Sequence, residues 1–553
     1  MATKPSVAAE ILYALKAAGA EIVFGLPGVH NLAFWREPPG SRTPRLVNVR
    51  HEQTVVYAAD GWSRASGSLG AGLVTTGPGA ANTLGAFGEA SRSGSPVVLI
   101  ASEVPLSVTN AGMRSALHQS KDQAGMFEGL AKAVFTPRSA AEVARDVGLA
   151  IAAALRAPRG PVYVDVPADL LGEAGAPVQL LELAAPELDA AALGRAAALV
   201  EKARTVVLWG GGGVVDANAA GELVALGAHL QAPVVTTFSA RGAIPCSDAS
   251  YIGLPPHEPE VEELLAGADL LLGFGSDFDA MMTKNATLRL PPVVIDVNVD
   301  PEVMQIGYPG VVEVHGDAKL ALQALLATTK PRDQGLVEAL PGRKERVWAR
   351  IRNDVRTAEA CAFVGSVERA ALGRAVLVND MTIPGYWLGN YYGAVGCRTM
   401  QYPVGWGTLG YALPASVGAA YGCGQRVLAV CGDGGFMYGI GELATLVQEH
   451  LPVTVLVVDD AGYGMLRFDQ QHSGDEFRGV DLVTPDFVAL AASFGIPAAL
   501  VESVGAPLEA ALTSALRSDG PQMVVLHAAL YPPRTTSPRW REALVAEPAA
   551  PMA

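Results

Sequence analysis

Short apolar runs that end in glycine or proline recur along the chain, separated by longer Ala-rich stretches with helical spacing. In the first third they are "EIVFGLPG", "AGLVTTGPG", "SPVVLIAS" and "GPVYVDVP". Runs this short, apolar at successive positions, read as strands buried on both faces. Helical stretches between them predict a parallel sheet covered by helices on each side. The pattern returns as "TVVLWGGGG", "APVVTTFSARG", "DLLLGFGSDFD" and "PVVIDVNVD". It returns once more as "AVLVND", "RVLAVCGDGG", "PVTVLVVDD" and "PQMVVLHA". A looser segment, "LLGEAGAPVQLLELAAPELDAAAL", separates the first two blocks, and "TTKPRDQGLVEALPGRKE" begins a second crossing. The expectation is three consecutive Rossmann-like α/β domains over residues 1–175, 190–345 and 360–535, with a Pro-rich tail, 536–553, as lid or flexible end. In such sheets ligands sit beyond the carboxyl ends of the strands, so the turns after the apolar runs are where chemistry is sought.

Composition narrows the function. A chain of 553 residues is too long for one core. Half of it is apolar and 17% is charged, which fits packed domains rather than disorder. A net charge of -15 without a Lys/Arg cluster argues against a nucleic-acid surface. No apolar run has the length of a membrane span, and the first residues lack the apolar core of a signal peptide, so a cytoplasmic location is expected. The five cysteines are scattered with no CxxC, which points to free thiols and not to disulfides or zinc.

One stretch carries the strongest chemical signal. "RVLAVC" is followed by Gly432-Asp433-Gly434-Gly435, then by a helix expected over about residues 438–449. The next strand, "PVTVLVV", ends on Asp459-Asp460. A glycine turn opening a helix offers free backbone N–H groups and a positive dipole end, which suits phosphate. Asp433 cannot bind phosphate directly, since both are anions; a divalent cation between them resolves the conflict. One crossover later in a parallel sheet, Asp460 falls beside Asp433. Two carboxylates, a backbone carbonyl and diphosphate oxygens make an all-oxygen site of the kind Mg²⁺ prefers. A lone Gly-Asp-Gly is more often a plain turn; the spacing to the second acidic pair favours the metal.

This segment resembles the thiamine-diphosphate motif, Gly-Asp-Gly followed by Asn-Asn, of the superfamily that includes acetohydroxyacid synthases, pyruvate decarboxylases and benzaldehyde lyases. The resemblance implies Mg²⁺ held by Asp433, Asp460 and the carbonyl of Gly462, with Gly434, Gly435, Tyr463, Gly464 and Met465 around the diphosphate. The chain departs from the pattern in having Asp459-Asp460 for Asn-Asn, which adds a negative charge beside a diphosphate. "VRHEQTVVYAADGWSRASG" approximates the family's pattern around its catalytic glutamate through His51, Glu52, Ala59, Gly61 and Arg64. A carboxyl hydrogen-bonded to N1′ of the aminopyrimidine favours the imino tautomer that takes the thiazolium C2 proton, and the resemblance gives that role to Glu52. By itself Glu52 would read as an acid near a helix N-terminus. "YPVGWGTLGYALPASVGAAYG" resembles the stretch that grips the middle of the cofactor, with the Gly407 carbonyl on the 4′-amino group and Leu409 as apolar wedge. "TTGPGAANTLG" resembles the turn on the aminopyrimidine side, through Gly77, Pro78, Gly79 and Asn82. In this family the glutamate block of one subunit faces the Gly-Asp-Gly block of its partner, which implies at least a homodimer, and a homotetramer as the fuller assembly.

The substrate is less legible. Candidates to stand over the reacting carbon are Val29, His30 and Asn31, then His118 and Gln119, then Met465, Leu466 and Phe468. Either histidine is able to move protons near neutral pH; alternatively His30 caps a turn and His118 packs at an interface. Arg467 either meets a substrate carboxylate or pairs with Asp469. In the central block Gly210 to Gly213 is weak evidence for a dinucleotide, and Asp277 in "GSDFD" stands where the synthases have an arginine for FAD, which argues against FAD. The resemblance implies decarboxylation of a 2-oxo acid such as pyruvate and transfer of the acyl-anion equivalent to a carbonyl, as in acetolactate synthases. The alternatives are a lyase on an acyloin (2-hydroxy ketone), a non-ligating decarboxylase, or an inactive cofactor-binding subunit.

Overall fold

The computed structural model describes residues 4–303, 308 and 311–536, so the tail expected as a lid lies almost wholly outside the described residues. The described chain forms three all-parallel sheets in sequence order, each flanked by helices. The first is built from β1 (Ile22–Gly25), β2 (Arg45–Asn48), β3 (Gly70–Val74), β4 (Val97–Glu103), β5 (Ala133–Phe135) and β6 (Val162–Pro167). Its spatial order is β2-β1-β3-β4-β6-β5. The central sheet has β7 (Val206–Gly210), β8 (Val234–Thr236), β9 (Leu270–Phe274), β10 (Val293–Asn298) and β11 (Val311–His315), in the order β11-β10-β9-β7-β8. The third has β12 (Val376–Asn379), β13 (Met400–Gln401), β14 (Val427–Gly432), β15 (Val453–Asp459), β16 (Ala498–Val501) and β17 (Gln522–His527), in the order β13-β12-β14-β15-β17-β16.

The apolar runs are strands because both faces are covered: every residue of β3, β7, β9 and β14 is buried. One apolar cluster runs without a break from Val55 and Tyr57 of the first domain to Ala415, Val417 and Val457 of the third. Glycine allows the closest approach between them. A Cβ on Gly418 would lie 1.8 Å from the Ala58 carbonyl oxygen, and one on Gly61 would lie 2.2 Å from that of Ala415. The helices Glu52–Ser66 and Ala412–Cys423 therefore touch backbone to backbone.

The glycine cluster after β7 has a similar packing use. The Gly211 N–H donates to the Phe274 carbonyl at 2.9 Å, and the Gly213 N–H to that of Gly275 at 3.0 Å. Those donors hold the turn against the end of β9. The expected helix over residues 438–449 is divided: a helical turn covers Asp433–Phe436 and the main helix begins only at Glu442 and ends at Gln448. Gly439 and Gly441 fall where its first turn would form, and glycine there carries the highest backbone entropy cost. All five cysteines are free thiols.

Candidate cofactor and active site

The third domain supplies an acidic turn. Strands β14 and β15 are hydrogen-bonded neighbours in register Gly432↔Val458, so the turns that leave them lie side by side. Asp433 is 2% exposed. Its Oδ1 accepts the Gly434 N–H at 2.7 Å and its Oδ2 the Gly462 N–H at 2.8 Å. The first acidic turn is thus tied to the second. Burial, and then the neighbouring Asp460, push the Asp433 carboxyl up to about 7. Burial likewise raises Asp460 to about 6, against the pull of Arg467. A buried carboxyl raised by a neighbouring one marks the negative focus that a divalent cation relieves. Among the described residues no group of three or more His, Cys, Asp or Glu is placed to hold a metal. The side-chain donors here are two carboxylates, which fits a Mg²⁺ that keeps waters and takes phosphate oxygens. A Cβ on Gly434 would lie 2.5 Å from the Tyr463 ring and one on Gly435 3.0 Å from Asp380 Oδ2, so the turn admits no side chain.

Asp380 escaped the motif reading. It follows β12, is wholly buried, and its Oδ1 accepts the N–H groups of Met381 at 2.8 Å and Gly410 at 2.9 Å. Burial holds its carboxyl up at about 6. It anchors the loop that carries Gly407 and Leu409. Gly407 (φ 73°) and Gly410 (φ 84°) have left-handed backbone, so glycine is required there. The only sequence signal was an aspartate ending "AVLVND", which has no distinctive partner spacing.

The first domain supplies the second half. Glu52 opens the helix Glu52–Ser66, and Asn82 Nδ2 donates to its Oε2 at 3.0 Å. The two residues singled out on this side therefore meet. Gly77 (φ 67°) turns the chain after β3, and its N–H donates to Gln123 Oε1. Gln123, also missed in the sequence, is buried and donates to the Ser102 carbonyl at 2.9 Å and Asp165 Oδ1 at 2.6 Å. Burial, then Glu103, raise Asp165 to about 8. Glu89 ties this side to the glycine loop of the third domain: its Oε2 accepts the Trp406 N–H at 2.8 Å, and Arg64 pairs with its Oε1 at 3.2 Å.

His30 and His118 come together edge to face, with ring centroids 5.4 Å apart. Burial, then the proximity of His118, lower the pKa of His30. Neither Nδ1 has a hydrogen-bond partner among the described residues. Asn31 makes the turn instead: its Oδ1 accepts the Gly28 N–H at 2.7 Å and its Nδ2 donates to the Leu26 carbonyl at 3.1 Å. His118 has left-handed backbone (φ 66°) and its carbonyl abuts Gly77, where a Cβ would lie 2.3 Å away. The Gln119 amide oxygen accepts the Ala116 N–H at 3.1 Å, closing a local turn. Val29 is exposed.

The helix Gly464–Ser473 leaves the acidic turn. Leu466 is exposed, and Phe468 is buried with its ring edge-on to Tyr531. Arg467 does not pair with Asp469. It pairs with Asp481 at 2.7 Å and donates to the carbonyls of Asp460 at 2.7 Å and Ala461 at 2.5 Å.

Three parallel α/β domains, an acidic glycine turn in the third and a helix-opening glutamate in the first define a cofactor-dependent enzyme architecture. Family models for thiamine pyrophosphate enzymes match all three: the N-terminal TPP binding domain over residues 5–126, the central domain over 193–325 and the C-terminal TPP binding domain over 380–526. The chain belongs to the thiamine pyrophosphate enzyme family, and it is an enzyme of that class. It is 33% identical to the Pseudomonas aeruginosa protein named "Probable 2-ketoarginine decarboxylase AruI", over 86% of each chain. It is 30% identical to the acetolactate synthase large subunit of Parasynechococcus marenigrum, over 94% of this chain and 87% of that one. A Rhodococcus jostii thiamine diphosphate-dependent 4-hydroxybenzoylformate decarboxylase superposes with a TM-score of 0.80 at 25% identity, covering 95% of this chain and 100% of that one. No helix among the described residues is long and apolar enough to cross a membrane.

Proposed function

We propose that the protein decarboxylates a 2-oxo acid and transfers the resulting acyl-anion equivalent to a carbonyl, in the manner of acetolactate synthases. The observation that carries this reading is the pairing of two unlike halves: a buried Asp433 beside a part-buried Asp460, and a Glu52 fixed by Asn82. Asp433, Asp460 and the Gly462 carbonyl hold Mg²⁺, with Gly434, Gly435, Tyr463, Gly464 and Met465 lining the diphosphate. Gly407 and Leu409 position the middle of the cofactor, and Gly77, Pro78 and Asn82 bound its aminopyrimidine side. Thiamine diphosphate, when bound, supplies the electron sink that lets a bond beside a carbonyl break. Glu52 holds a proton at N1′, and His30 and His118 move protons at the substrate. The site lies between the Glu52 block of one subunit and the Asp433 block of another, in a homodimer or a tetramer built from it.

A non-ligating decarboxylase is the second reading, and the edge-to-face His30–His118 pair favours it, since protonation of the carbanion competes with ligation. It also draws on the relatives named as decarboxylases. An inactive cofactor-binding subunit would have no use for the Asn82–Glu52 hydrogen bond. The test is NMR of the products formed from pyruvate with thiamine diphosphate and Mg²⁺. Acetolactate or acetoin supports ligation and acetaldehyde alone supports the second reading. Untouched pyruvate with cofactor bound refutes pyruvate as the donor and turns the search to larger 2-oxo acids and acyloins.

A further inference from the structure

Asp459 and Asp460 stand where the resembling motif carries two neutral amides, and Asp460 is the one that faces the Asp433 turn. We propose that Arg467 is the built-in counter-charge to Asp460, a positioning residue that offsets the carboxylate standing at the second amide position of the motif. This rests on the reading of that turn as the Mg²⁺ site.

The guanidinium is placed for that task. Its Nη1 lies 3.9 Å from Asp460 Oδ1 and donates to the Asp460 carbonyl at 2.7 Å. Nη2 donates to the Ala461 carbonyl and Nε to Asp481 Oδ1 at 2.7 Å. Each nitrogen has its own acceptor, a geometry that a lysine ammonium does not reproduce. The side chains of Arg467 and Asp460 are only 21% and 17% exposed, so solvent screens the pair weakly. Gly462 gives the space: a Cβ there would lie 2.2 Å from Arg467 Nη2. Ala461, in left-handed backbone (φ 54°), turns its carbonyl to the same group.

The position is otherwise an unfavourable one. Arg467 lies near the start of the helix Gly464–Ser473, where the dipole disfavours a cation. Side chains there lean back toward the preceding turn, and that turn supplies the acceptors that offset the dipole. Asp481 completes the arrangement from the far side, since Gly462 and Asp481 form an antiparallel bridge. The unit is therefore Asp460, Arg467 and Asp481 across one turn, with three of the five guanidinium N–H groups committed within it.

The experiment uses full-length protein with saturating thiamine diphosphate, titrated with Mg²⁺ in a calorimeter. Melting of the parent and each variant without Mg²⁺ or cofactor is recorded alongside. Asp460→Asn alone leaves Arg467 matched only by the exposed Asp481 and weakens Mg²⁺ binding on the order of tenfold. Arg467→Met added to it restores affinity to within about threefold of the parent. In the parent background Arg467→Met tightens Mg²⁺ binding and lowers the melting temperature without metal, and Asp460→Asn recovers that loss. Arg467→Lys, which keeps the charge, holds the parent's Mg²⁺ affinity even if Arg467→Met fails to fold. Equal weakening of Mg²⁺ binding by Arg467→Met in both backgrounds would make Arg467 a mere clamp and overturn the proposal. A parent protein that binds thiamine diphosphate without any dependence on Mg²⁺ would instead overturn the site reading itself.

Discussion

The first and third sheets share one strand order, β2-β1-β3-β4-β6-β5 against β13-β12-β14-β15-β17-β16, yet the turns that leave equivalent strands do unlike work. After β3 the chain runs Thr75-Thr76-Gly77-Pro78-Gly79 with no acid; after β14 it runs Asp433-Gly434-Gly435. In the first domain the Gly77 N–H is consumed by Gln123. In the third, Asp433 ties its turn to the next one and leaves a cluster of negative charge. Within β4 and β6 the first domain also gathers acid, Glu103 with Asp165, but there the carboxyls and Gln123 satisfy one another inside the protein. In the proposed function, the same topology serves one face for a neutral heterocycle and one for a metal-bound anion. The difference lies in a few side chains at strand ends and not in the sheets, in keeping with the rule that function resides in sites placed on a fold.

Four changes sharpen or break this contrast. Glu52→Gln removes the acid of the first face, and turnover falls about 10²–10⁴-fold while cofactor affinity stays within a few-fold. Deuterium exchange at the thiazolium C2, followed by NMR, reads that step; exchange at the parent rate rules out the role given to Glu52. Asp433→Ala removes the anchor of the other face, and cofactor binding in the presence of Mg²⁺ weakens by about 100-fold or more. Calorimetry that finds parent affinity would break the metal assignment.

Gly418→Val tests the packing that holds the two faces in one frame. Its Cβ would sit 1.8 Å from the Ala58 carbonyl, and forced repacking costs about 1–3 kcal/mol. Scanning calorimetry should show a lower melting temperature; an unchanged one means that the two helices are free to separate.

Asp165→Asn has the smallest expected effect. In the folded protein Asp165 is raised to about 8, far above its unfolded carboxylate range, so over the window between the two the native state holds the extra proton. Stability then falls as pH rises from about 4 to about 8. The asparagine variant lacks this loss, so its melting temperature declines less between about pH 5 and about pH 9 than the parent's. Parallel profiles would remove Asp165 from the pH dependence.

Much of this was legible in the sequence because it rests on local rules. Strands buried on both faces announce themselves as short apolar runs, as in "RVLAVC", and Asp433 and Glu52 sit at fixed offsets from such runs. What stayed hidden depends on partners distant in the chain. Asp380, Gln123 and Glu89 act through backbone N–H groups or side chains such as Gly410, Gly77 and Trp406, and no spacing rule links a buried acceptor to its donor. The Asp481 partner of Arg467 was hidden for the same reason, since Asp481 reaches it through the bridge to Gly462. The divided helix after Asp433 was readable from Gly439 and Gly441, but the apolar period beyond them outweighed those glycines.

In the proposed function the Glu52 face and the Asp433 face build one site across two subunits. Within one chain these domains already pack, with Gln53 Nε2 donating to the Tyr438 carbonyl at 3.2 Å, so a site inside one chain is the competing geometry. Subunit complementation separates the two. Glu52→Gln and Asp433→Ala proteins, each inactive, are mixed, dissociated and reassembled, and turnover of the 2-oxo acid is measured. A site shared between subunits gives mixed dimers with one intact Glu52–Asp433 pair, and activity returns. A site confined to one chain leaves every pair damaged, and a mixture as inactive as its components would contradict the account.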